Sequence, residues 1–140
     1  MTYAENNFEA LRDPDVWREH FPNFTPAELA CSDGTPFPLT PESVAALHKL
    51  QSLRTHLNFA FRINSAFRSL AYNAKIGGAS DSYHIHGMAF DIGCHTTAAF
   101  RLVNAAPQFG FLGIGIMQKG ALGGRYVHID TRDFQAIWSY

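Results

Sequence analysis

A chain of 140 residues, 46% of them hydrophobic, has the length of one domain and enough apolar side chains to bury its own core, which excludes a second full domain. Its 11 basic and 12 acidic side chains leave a formal charge of -1. Neither sign gathers into a run, which excludes the charged patch of a nucleic-acid or membrane-surface binder.

No stretch approaches the ~18 apolar residues that span a bilayer, and the first residues lack a basic segment followed by an apolar one. A soluble protein made in the cytoplasm without a signal peptide is the expectation. Cys31 and Cys94 carry no spacing motif and read as free thiols of a reducing compartment.

Residues 1–39 are rich in Pro, Asp, Asn and Phe without a sustained period. The first 22 read as an N-terminal wrap, and 23–140 as the single domain. Thr25 caps a short predicted helix over 26–30, with Pro26 in its first turn. A longer helix opens at Thr40-Pro41-Glu42, where Val44, Leu47, Leu50, Leu53 and Leu57 recur at three- and four-residue steps and make one core-facing stripe. Alternating apolar residues at 59, 61 and 63 predict a half-buried strand over Phe59–Ser65.

Ser69–Ile76 reads as a helix stopped by Gly77-Gly78, followed by a polar loop over 79–82 and a strand over Gly87–Ile92. Thr96 or Thr97 is expected to cap a helix that Pro107 ends. Phe111–Met117 and Arg125–Asp130 are strand-like and are joined by a loop containing Gly120, Gly123 and Gly124. Phe90, Phe100, Phe109 and Phe111 are assigned to the core, and Trp17 and Trp138 to pinning the two ends. Strands and helices interleave without regular alternation, so the fold class is α+β, a mainly antiparallel sheet flanked by helices.

Chemistry concentrates at His84 and Asp91, seven residues apart, and at His128 far downstream. Two imidazoles and a carboxylate suit a catalytic zinc ion, which takes three such ligands and leaves a fourth position to water. By spacing alone the pattern is not specific, and hydrogen-bonded side chains would read the same. His20, His48, His56 and His95 receive no role. His86 would share a face with His84 on an extended segment, as Asp130 and Tyr126 would with His128.

The segment Ser82-x-His84-x-x-Gly87-x-Ala89-x-Asp91 resembles the signature of the D-alanyl-D-alanine carboxypeptidase type of zinc peptidases, the VanY-like group that shares its fold with the hedgehog signalling domain. Ser65-Ala66-Phe67-Arg68-Ser69 is similar to that group's Ser-x-x-Arg-Ser stretch, and Asn73 with Gly77-Gly78 to the elements between its motifs. Phe24-Thr25-x-x-Glu28-Leu29 with Cys31, Gly113-Ile114-Gly115 and His128-Ile129-Asp130-Thr131-Arg132 resemble the start and end of the branch found as phage and bacterial cell-wall lysins. Order and spacing agree from about residue 23 to 138.

The resemblance implies a hedgehog/D-Ala-D-Ala peptidase-like fold over 23–140 and a metallopeptidase, a hydrolase of peptide bonds in bacterial peptidoglycan. It implies zinc on His84, Asp91 and His128, with Arg68 stabilising the oxyanion or the substrate carboxylate. The stem peptide is the partner, and a monomer is expected. Many members place an acidic residue three positions before the last zinc histidine, where this chain has Arg125, which cannot act as a base at neutral pH.

Asp130 and His86 are the remaining candidates for the base, Asp130 alternatively orienting His128. Tyr126 is a candidate donor to the tetrahedral intermediate or a packed strand aromatic. Ser82 either positions substrate or supports its loop. D-Ala-D-Ala carboxypeptidase, L-Ala-D-Glu endopeptidase and phage endolysin are all open roles, as is a non-catalytic zinc-containing wall-binding or virion module.

Overall fold

The computed structural model describes residues 8–140, so the first seven residues of the expected wrap lie outside the described residues. A 3-10 helix, Phe8–Arg12, leads into α1 (Pro14–His20), which Asp13 caps by accepting from the Asp15 and Val16 N–H groups. Leu11 and Trp17 enter the core, and the Trp17 indole N–H donates to the Phe24 carbonyl at 2.7 Å. Trp17 thus does the pinning assigned to it.

Helix α2 (Pro26–Leu29) starts in a capping box, with Thr25 accepting from the Glu28 N–H and Glu28 accepting from the Thr25 N–H. Helix α3 (Pro41–Leu57) buries Val44, Leu47, Leu50, Leu53 and Leu57, the stripe read from the sequence. Strand β1 (Arg62–Ser65) begins three residues later than expected, although Phe61 is buried on the anticipated face. Helix α4 (Leu70–Lys75) is capped by Ser69. Helix α5 (Thr96–Ala105) begins differently from expectation: neither Thr96 nor Thr97 caps it, His95 occupies the cap position, and Thr96 adopts a left-handed φ of 54°.

Strands β1, β2 (Ala89–Gly93), β3 (Gly113–Met117), β4 (Tyr126–Asp130) and β5 (Ala136–Ser139) form one sheet in the order β1-β2-β4-β3-β5. All pairings are antiparallel except β3 with β5, so the α+β class with a mainly antiparallel sheet holds. The register sorts side chains onto two faces. Phe90 and Ile114 lie opposite Ile129, and Ile92 and Ile116 lie opposite Val127, which gives a hydrophobic face for Leu47 and Leu50 of α3 and Leu102 of α5. On the other face, one row holds Asp91, His128, Gly115 and Trp138, and the next holds Ala89, Asp130, Gly113 and Ala136.

Phe90 and Phe111 are fully buried and Phe109 packs against the core, but Phe100 is 73% exposed. The inward side of α5 is taken by Ala99, Leu102 and Ala105, which leaves Phe100 on its outer side. Cys31 and Cys94 are free thiols. Among the described residues no helix is long and apolar enough to cross a membrane.

Candidate metal centre and cleft

Asp91 on β2 and His128 on β4 are directly cross-strand neighbours, so the ladder itself sets their side chains together. His84 arrives from a 3-10 turn, Tyr83–His86, which Ser82 opens by accepting from the His84 N–H at 3.2 Å. Gly87 closes the turn at φ 68°, a conformation that side chains disfavour. His84, Asp91 and His128 are all buried, and one potential ligand atom from each lies within 4.8 Å of the others.

The hydrogen bonds prepare both imidazoles as ligands. His84 Nδ1 lies 2.6 Å from the Ala66 carbonyl, an acceptor, so Nδ1 carries the proton and Nε2 presents a lone pair. That Nε2 is the one buried side-chain polar atom among the described residues without a hydrogen-bond partner, and it sits 3.3 Å from Asp91 Oδ1. On the second imidazole, His128 Nε2 lies 2.7 Å from Asp130 Oδ2, which turns Nδ1 toward Asp91 Oδ1 at 3.0 Å. Two nitrogen lone pairs directed at one carboxylate are the donor set that a borderline-soft divalent cation takes.

Charge reinforces the arrangement. Burial acts to raise the Asp91 pKa, but the His128 and His84 imidazoles beside it outweigh that and hold the carboxyl well below its ordinary range. Burial acts to lower His128, and the neighbouring carboxylates of Asp130 and Asp91 outweigh that and raise it. Asp130 is fully buried; burial again opposes, and hydrogen bonds from Arg132 and His128 prevail, so its carboxyl is also held low.

The three residues open onto a cleft of about 400 Å³ that also contains Arg68, Ser82, Tyr126 and Asp130, so all seven expected site residues converge. Arg68 places Nη2 3.5 Å from Asp91 Oδ2, and its guanidinium is steadied by Ser65 Oγ at 3.3 Å and Asn73 Oδ1 at 3.4 Å. The Tyr126 ring lies against Tyr140, centroids 5.4 Å apart. Burial, followed by Tyr140 and Asp91, pushes the Tyr126 phenol up to about 12, so it keeps its proton throughout the neutral range.

Ser82 supports its turn through the His84 N–H. With both oxygens engaged by His128 and Arg132, Asp130 has the geometry of the orienting carboxylate.

The segment carrying His86 is not extended, so the condition under which His86 would share a face with His84 is not met. In a 3-10 helix, with about three residues per turn, side chains two apart point in different directions, and His86 lines a separate hollow with Pro38, Thr40 and Glu42. Arg125 braces its own loop, donating from Nε and Nη2 to the Gly120 carbonyl at 3.0 and 2.9 Å.

Trp138 pins more than a chain end: it lines the cleft with its ring 5.1 Å from that of His128. Asp81, Tyr83, Arg132 and Tyr140 also line the cleft, with Gly78 and Ala79 beside them. A larger apolar hollow of about 660 Å³, lined by Trp17, Phe21 and Phe37, contains none of the ligand residues; volume alone does not mark the site.

Comparison with known proteins agrees with this geometry. Residues 22–130 match the family model described as Peptidase M15. A stretch of 70 residues, 49% of the chain, is 36% identical to the zinc D-Ala-D-Ala carboxypeptidase of Streptomyces albus G and covers 28% of that protein. The match therefore spans less than a third of the length of that relative.

Proposed function

Because the chain belongs to the peptidase M15 family, we propose that it is a zinc-dependent peptidase cleaving stem-peptide bonds of bacterial peptidoglycan, as a D-Ala-D-Ala carboxypeptidase or an L-Ala-D-Glu endopeptidase. The observation that carries the reading is the pair of imidazoles whose remote nitrogens are both tied to acceptors, so that His84 Nε2 and His128 Nδ1 face Asp91. In this reading His84, Asp91 and His128 hold zinc. When bound, the ion supplies Lewis acidity for the scissile carbonyl and makes hydroxide accessible near neutral pH.

The other groups act on substrate. Arg68, always charged and braced by Ser65 and Asn73, offers its fork to the oxyanion or to a terminal carboxylate. Tyr126 donates from its phenol to the tetrahedral centre. Asp130 orients His128, and Ser82 holds the turn that carries His84. Tyr83, Trp138 and Tyr140 form walls against which the methyl group of a D-Ala residue can pack.

The working unit is a monomer, with 23–140 as the peptidase domain and 1–22 as its wrap. It is made in the cytoplasm and acts on the wall, as an endolysin does.

Zinc-loaded protein and its His84→Ala variant, incubated with purified peptidoglycan, test this directly. Fragments released by the wild type alone, weighed by mass spectrometry, identify the bond cut. Zinc binding without release of any fragment refutes the peptidase reading and favours a non-catalytic wall-binding module, the reading to which Arg125 at the family's acidic position points.

A further inference from the structure

A fully buried carboxylate is costly unless charge and hydrogen bonds compensate it, and at Asp130 a single side chain does most of that. Arg132 Nε donates to Asp130 Oδ1 at 2.8 Å and Nη2 to Oδ2 at 2.7 Å, while the Arg132 backbone N–H adds a third bond to Oδ1 at 3.2 Å. A two-pronged grip of this kind fixes the plane of the carboxylate as well as its position. Oδ2, so held, also meets His128 Nε2.

The guanidinium is itself boxed by aromatic rings. Its Cζ lies 4.8 Å from the Tyr83 centroid, 4.9 Å from that of Trp138 and 5.4 Å from that of Phe134. Tyr83 precedes the ligand His84 in the chain, so Arg132 bridges the two segments that bring the imidazoles together. On the neighbouring strand Gly113 leaves the room: a Cβ there would overlap Asp130 Oδ1 and Arg132 Nε.

We propose that Arg132 is a positioning residue of the metal centre, gripping Asp130 so that His128 holds its Nε2–H fixed and keeps Nδ1 aimed at the ion. The inference rests on the zinc reading above and deepens it. Arg132 acts through Asp130, and the role belongs to the fork: a lysine keeps the charge and the stem but cannot hold both oxygens in one plane.

Zinc alone is the probe, titrated into the full metal-free chain against a chromophoric chelator, with circular dichroism recorded on each variant. Arg132→Lys and Arg132→Met are each expected to weaken zinc about 10- to 100-fold, the usual cost of losing a partner behind a metal ligand. Asp130→Asn combined with Arg132→Met is expected to bind no more weakly than Asp130→Asn alone.

Arg132→Lys keeps charge and stem within the aromatic box, so its loss reports on the fork even if Arg132→Met folds poorly. Zinc binding by Arg132→Lys within twofold of the wild type overturns the proposal while leaving the zinc reading intact. A wild-type chain that takes up no zinc overturns both.

Discussion

Gly113 and Gly115 on β3 face the same side of the sheet, level with Asp130 and His128 respectively, and alanine at each should fail differently. At Gly113 the new methyl would overlap Asp130 Oδ1, Asp130 Cγ and Arg132 Nε. To regain ordinary van der Waals spacing the carboxylate must retreat by well over ~1 Å. That takes its 2.7 Å bond to His128 Nε2 past the length of about 3.2 Å at which such bonds weaken.

Gly113→Ala should therefore lower zinc affinity about 10- to 100-fold, besides an overpacking cost of about 1–3 kcal/mol. At Gly115 the methyl would lie 2.7–2.9 Å from atoms of the Trp138 indole, which belongs to an edge strand and can swing outward. On the proposed function, Gly115→Ala should cost a similar amount of stability, raise KM for a stem peptide and leave zinc affinity within about threefold, since no bond of a candidate metal ligand is strained. Chelator competition and thermal melts on the two variants provide the comparison. Equal zinc affinities in both would refute the argument that Asp130 governs the metal site.

Three further outcomes can be checked independently. In the metal-free chain, the lowered Asp91 and Asp130 contribute stability that is present above about pH 4 and lost as pH falls, while the raised His128 contributes stability that is full below about pH 6.5 and lost as pH rises through its folded value. Melting temperature without zinc should thus peak between about pH 4.5 and 6.5, and excess zinc should remove the decline above it; a metal-free value that climbs steadily from pH 6 to 9 would contradict the sign. The Cys94 thiol, pushed up to about 11 by burial, is about 0.1% thiolate at pH 8, so iodoacetamide should label it orders of magnitude more slowly than in urea; equal rates would refute its burial. Leu50→Ala, at a fully buried position of α3, should cost about 2–5 kcal/mol by urea denaturation, and a loss below about 1 kcal/mol would mean that α3 does not pack as described.

What could be read from the sequence was whatever one segment encodes by itself. The stripe from Val44 to Leu57 has a helical period and a capped start, and the helix formed where it was expected. Thr25 and Glu28 spell a capping box within four residues. Where the reading failed, contacts from outside the segment join the local signals in deciding the structure. Ser82 to Gly87 alternates polar and apolar residues as a strand would, yet it winds into a turn because Ser82 can cap it, Gly87 can adopt a positive φ, and the Ala66 carbonyl receives His84 Nδ1.

Strand β5 is four residues long with an ordinary composition, and only its parallel pairing with β3 makes it a strand. Without it, Trp138 cannot be connected to the cleft. The candidate ligands stand in a motif; spacing alone does not show that the free nitrogens of His84 and His128 both turn toward Asp91.

The placement of these parts has its own logic. Asp91 and His128 stand on β2 and β4, each of which has a neighbouring strand on both sides, and their core faces carry Phe90, Ile92, Val127 and Ile129, all fully buried. A shift of either ligand would therefore require the ladder and the packing behind it to move together, and close-packed interiors resist such motion. The cleft walls come from elsewhere: Tyr83 from the turn, Trp138 and Tyr140 from the edge strand and the residue beyond it. Edge and turn residues can change without disturbing the ladder between β2 and β4, so the same metal site can serve clefts of different shape. On the proposed function, selectivity among stem-peptide bonds should then respond to substitutions at positions 83, 138 and 140, and zinc affinity most strongly to those at Asp130, Arg132 and Gly113.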